Sequence, residues 1–150
     1  MNDGTAAREP LKGGRAPVSG RLELHTHLEG SVTPARLRTL AERHARPDLA
    51  DACLDPSGQA FLFDGFHGFL DLYKRVTSVM RTPRDFHELA RDLAVQLRDD
   101  GVAYAEVSVA YGVLLARGID PGPVQAALWE ASQSAQEAHG VTLRWLPDAV

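Results

Sequence analysis

The stretch "RLELHTHLEGS", residues 21–31, sets two histidines one residue apart at the end of an alternating apolar run, then adds a carboxylate, a glycine and a serine. Alternation is the period of a strand, with Leu22, Leu24, Thr26 and Leu28 on one side and Glu23, His25 and His27 on the other. Side chains two apart on a strand point the same way, so His25 and His27 project from one face. Two neutral imidazoles so placed can share one metal ion, and the ion most often held by nitrogen ligands with an open position is zinc. The pair does not complete such a site, because a catalytic zinc keeps three or more protein ligands plus water. The residues alone leave a second reading open, in which both histidines are ordinary polar side chains on a half-exposed strand and Glu29 is solvated.

Outward from this stretch, helical periods follow. Thr33 offers a capping hydroxyl, Pro34 suits a first helical position, and Leu37, Leu40 and Ala41 recur at helical spacing until Pro47. Residues 46–58 read as loop. Phe66, Phe69, Leu70, Tyr73 and Val76 predict a helix from about Asp64 to Val79. Thr82, Pro83 and Asp85 open a third helix, with Phe86, Leu89, Leu93 and Leu97 as its stripe and Gly101 as its stop. "VAYAEVSV" at 102–109 reads as a parallel strand buried on both faces. A fourth helix runs from Asp120 to Gly140, and "VTLRWL" at 141–146 is a third strand.

The order strand, three helices, strand, helix, strand gives crossovers long enough for parallel pairing, as in an open doubly wound sheet or a closed barrel. Eight-stranded barrels take roughly 250 residues. The expected fold is therefore α/β, the N-terminal part of a (β/α)8 TIM barrel of the metal-dependent hydrolase type, truncated after about three strands. Residues 1–19, rich in Gly, Pro, Ala and charge, read as a disordered tail, and 20–150 as the incomplete barrel. In a barrel the histidines fall at the C-terminal end of their strand, where active sites lie, and Glu29 stands on the rim, within reach of a polar ligand.

Composition narrows the function classes. The chain has 150 residues, 44% of them hydrophobic and 24% charged, the balance of a soluble globular domain. A net charge of −4 with no dense Lys/Arg cluster argues against nucleic-acid binding, and no apolar stretch argues for a membrane partner. The lone Cys53 and the lack of a charged-then-apolar leader make the cytoplasm the expected compartment.

"ELHTHLEGS" resembles the N-terminal signature of the adenosine deaminase family, zinc-dependent purine deaminases of the amidohydrolase superfamily. "FHGFLDLYKRVTSVMRTPRDF" at 66–86 resembles the family's lid helices, and "LRDDGVAYAEV" at 97–107 its second-strand entry. "YAEVSVAYGVLLARG" with "LRWLPDA" is most similar to the branch that deaminates aminodeoxyfutalosine in menaquinone synthesis. The resemblance covers residues 21–150. It implies that His25 and His27 are the first two ligands of Zn2+, that Glu29 and His27 contact a small purine nucleoside, and that Phe69 covers it. Glu29 stands where adenosine deaminases proper carry an aspartate, and Ser108 where many carry arginine; both departures favour the sister branch. The family's catalytic glutamate, histidine and aspartate are expected beyond Val150. The implied reaction is zinc-dependent hydrolytic deamination, of aminodeoxyfutalosine first and adenosine second, with a truncated product lacking activity of its own as the alternative. A metal-dependent phosphoesterase would need more ligating side chains than this stretch displays.

Other polar residues have plainer readings. His67 and His87 read as surface or partner-satisfied histidines, and His44 and His139 suit helix C-termini. Glu106, inside an apolar strand, either bonds a basic group on a neighbouring strand or faces a pocket, the former being favoured.

Overall fold

A computed structural model of the chain describes residues 20–149. The expected tail at 1–19 lies outside the described residues. Three strands, β1 (Arg21–His27), β2 (Val102–Ala110) and β3 (Thr142–Asp148), form one parallel sheet in the order β1-β2-β3. Six helices connect them: α1 (Pro34–Arg43), α2 (Pro47–Cys53), α3 (Gly65–Thr77), α4 (Pro83–Asp99), α5 (Tyr111–Ala116) and α6 (Pro121–His139). A 3-10 turn at Glu29–Ser31 follows β1. No helix among the described residues is long and apolar enough to cross a membrane.

Local chemistry accounts for most boundaries. Thr33 caps α1 by accepting from the Arg36 amide, and Thr82 and Asp85 form a reciprocal capping box at α4. Gly140 ends α6 at φ 69, in the left-handed region a side chain disfavours. Two helices were not expected. Pro47, read as a stop, opens α2 as its first residue, after α1 has ended at Arg43 and Ala45 has turned the chain at φ 54. The short α5 directly follows β2, so the apolar run there is divided between a strand and a helix.

The core lies between the sheet and the paired helices α4 and α6 and continues through the buried residues of α1, α2 and the end of α3. On β2, Ala105, Val107 and Val109 are buried, while Tyr104, Glu106, Ser108 and Ala110 are half-buried. The strand is therefore covered on one face, not two. Trp145 opposes Val107 in register and donates its indole N–H to Leu128 O and Ser132 Oγ of α6, which identifies the covered face as the helical one. The alternation of β1 also breaks. The register against β2 shifts between Glu23 and Thr26, so Leu22 shares the uncovered face with His27 and is 60% exposed, whereas Leu28 is fully buried. Of the stripe expected to bury α3, Val76 is buried and Tyr73 half-buried, with Leu72 and Thr77 buried beside them, while Phe66, Phe69 and Leu70 are exposed.

An ion-pair network ties α1 to α4. Arg36 bonds Glu88 and Asp92 at 2.6 Å each, and Arg43 bonds Asp85 at 2.6 Å and Glu88 at 2.8 Å. His44, expected merely to face the α1 dipole, contacts Asp85 at 2.8 Å.

Candidate functional site

His27 ends β1 opposite Ser108 of β2, which is opposite Leu146 of β3. Paired residues of a parallel sheet point the same way, so His27 shares the face that α4 and α6 leave uncovered. The ring of His25 lies 5.4 Å from that of His27, centroid to centroid, at an interplanar angle of 46°. His25 is exposed and His27 half-buried, so both imidazoles have a path to solvent. Two imidazoles at this separation on an open face fit two positions of a nitrogen-ligated metal shell. Among the described residues no group of three metal-ligating side chains forms.

Glu29 is not on the rim. It is 5% exposed, because the 3-10 turn that follows His27 drops it beneath α3 and α5. One oxygen accepts the Ala110 amide at 2.9 Å, a bond from the turn after β1 to the last residue of β2. That bond stands beside Leu28 N to Ser108 O at 3.0 Å, and together they lock the two strand ends. The other oxygen, Oε2, is buried without a hydrogen-bond partner. Burial pushes the Glu29 carboxyl above the usual range, against the lowering effect of the Ala110 amide.

Tyr73, Thr77, Phe86, Leu114 and Arg117 share a small cavity with Glu29. Arg117 donates to Thr77 O at 2.7 Å and Thr77 Oγ1 at 3.1 Å, which pins the C-terminal turn of α3 to the segment after β2. Phe69 stands one turn before Tyr73, ring centroids 6.2 Å apart, and packs edge-on against Phe63 at 5.7 Å. Thus His25, His27 and Glu29 come together at the strand ends, and Phe69 lies on the helix whose next turn closes over Glu29. Sequence reasoning did not single out Tyr73, Thr77, Ala110 or Arg117 as site residues. Only Tyr73 carried a signal, being four residues from Phe69 on one helical face. Asp148 ends β3 in register with Ala110, and a carboxylate at the C-terminal end of a parallel strand was a readable sign of a pocket residue.

The remaining candidates are placed elsewhere. Glu106 accepts from its strand neighbour Tyr104 at 2.9 Å and faces Arg144 in register, a structural setting on the uncovered face. His67 stacks edge-on to Phe66 at the exposed start of α3, and His139 meets Arg98 at 3.3 Å at the end of α6.

The family model described as adenosine deaminase matches residues 20–149. An adenine deaminase of Streptomyces coelicolor is 36% identical over 124 residues, covering 83% of this chain and 36% of its own. An aminodeoxyfutalosine deaminase of the same organism is 34% identical over 131 residues, covering 85% and 33%. Among solved structures, an amidohydrolase from Burkholderia ambifaria with bound Zn aligns with a TM-score of 0.67 at 21% identity, over 91% of this chain and 39% of that one. The chain thus spans about a third of the length of the curated relatives it matches, and its three parallel strands correspond to the N-terminal part of an amidohydrolase TIM barrel.

Proposed function

The chain belongs to the adenosine deaminase family, and from that premise we propose that it supplies the metal-side entrance of a zinc-dependent deaminase acting on a 6-aminopurine. The observation that carries this reading is the histidine pair, 5.4 Å apart on the uncovered face at a strand's C-terminal end. His25 and His27 would hold the ion together with residues outside those described. A bound zinc supplies Lewis acidity and a water whose pKa falls to about 7. His27 and Phe69 border the space a purine would enter, Phe69 as an apolar cover and His27 as an edge contact. Glu29, buried beside the pair, holds the turn that carries His27 through its bond from the Ala110 amide. The substituent beyond the purine ring is that of aminodeoxyfutalosine in the leading version and of adenosine in the second. A relative named adenine deaminase favours a third version, the free base.

With two ligands among its described residues, the 150-residue chain does not turn over substrate alone. The test is ultraviolet assay of the protein encoded by the intact gene, with aminodeoxyfutalosine, adenosine and adenine in parallel, beside the 150-residue chain. Ammonia release from one purine by the longer protein and from none by the shorter is the expected result. Absence of release from all three, with zinc present, overturns the deaminase reading.

A further inference from the structure

Oε2 of Glu29 is a buried acceptor without a partner, a condition that folded proteins nearly always avoid. The carboxylate is fixed from its other side by the Ala110 amide at 2.9 Å, so it cannot rotate towards another group without giving up that bond. The cavity beside it leaves about 20 Å³ for a water molecule, and roughly 10–15 Å³ suffices for one. Most of the wall is apolar side chain, and Arg117 is held towards Thr77 through two of its five N–H groups. The Thr77 hydroxyl already donates to Lys74 O and accepts from Arg117, which leaves Tyr73 as the lining residue whose hydroxyl can both donate and accept.

We infer that Glu29 and Tyr73 hold one water molecule between them in this cavity, and that Tyr73 is thereby a positioning residue for the turn that carries His27. A carboxylate satisfied at both oxygens is held in one orientation, and here that orientation sets the Ala110 bond joining the end of β1 to the end of β2. Tyr73 is suited to donate. Burial first, and then the Glu29 and Asp148 charges, push its phenol up to about 12. The inference is independent of the deaminase reading, since neither zinc nor a purine enters it.

A crystal structure of the full 150-residue chain, at a resolution that shows ordered water, tests the site directly. One density peak within hydrogen-bonding reach of both Glu29 Oε2 and Tyr73 Oη is expected; an empty cavity, or a peak touching one of them alone, overturns it. Amide hydrogen exchange tests the positioning role. Tyr73→Phe keeps the ring and removes the hydroxyl, so the Ala110 amide should exchange about tenfold faster while the Leu89 and Leu93 amides of α4 hold their rates. In a Glu29→Ala background the same change should add nothing further. Unchanged Ala110 exchange in Tyr73→Phe, or equal acceleration in both backgrounds, leaves Tyr73 a packing residue and refutes the role.

Discussion

Replacing Asp85 with alanine asks whether a buried carboxylate, rather than the apolar stripe around it, fastens α1 to α4. The Asp85 side chain has no exposed surface. Its Oδ1 accepts from Arg43 at 2.6 Å, and its Oδ2 from the Thr82 amide at 2.8 Å, the Arg81 amide at 3.0 Å and His44 at 2.8 Å. Losing its half of the capping box costs about 1 kcal/mol. Removing one partner of a buried pair costs about 3–5 kcal/mol where the other charge is stranded. Here Arg43 keeps Glu88 at 2.8 Å and remains 22% exposed, so the ion-pair loss falls near 2 kcal/mol. The sum is about 3 kcal/mol, a large part of the 5–15 kcal/mol usual for a domain and equivalent to roughly 6–12 °C in Tm at this size. Urea and thermal unfolding at pH 7 measure it.

The pH dependence supplies the sign. Burial raises the Asp85 carboxyl, but the Arg81 and Thr82 amides with Arg43 and His44 outweigh it and hold the group below its ordinary value. A depressed carboxylate stabilises above the unfolded pKa, about 4, and that contribution disappears as pH falls through the folded value. The unmodified chain should lose stability across that window, and Asp85→Ala should lack this part of the acid limb. A loss under about 1 kcal/mol at pH 7, or an identical acid limb, refutes the reasoning.

Zinc uptake by the 150-residue chain, followed by equilibrium dialysis, should be weak and should vanish in either His25→Ala or His27→Ala; tight stoichiometric binding in a monomer, or binding indifferent to both changes, dissociates the pair from a metal. Gly140→Ala forces a side chain into φ 69 at the end of α6 and should cost about 1 kcal/mol in urea unfolding. Asp55, which accepts from Ser57 Oγ at 2.6 Å and from the Gln59 and Ala60 amides, should titrate at about 2 by NMR and rise towards the ordinary carboxylate range in Ser57→Ala. Among the described residues the sheet has unpaired edges at β1 and β3, and Leu22 is 60% exposed; sedimentation should show concentration-dependent association that Leu22→Lys diminishes.

The sequence by itself determined the parallel three-strand frame, the caps of α1, α4 and α6, and the placing of His25 and His27 at a strand end. These follow from local chemistry: a hydroxyl three residues before an amide, a proline at a first turn, a period of two. Tertiary structure alone decided which faces are covered. Leu22 reads by alternation as lying opposite the histidines, yet it shares their side and is exposed, because of a register shift in β1 that no local period records. Phe66 and Phe69 read as the buried stripe of α3 and stay exposed, because that helix is seated only through its last turns, where Arg117, forty residues away in sequence, grips Thr77. Glu29 reads as a rim residue and is buried, since its burial depends on α3 and α5 arriving from later in the chain. Local spacing fixes what a side chain can do, but only contacts between distant segments fix the solvent and partners it meets.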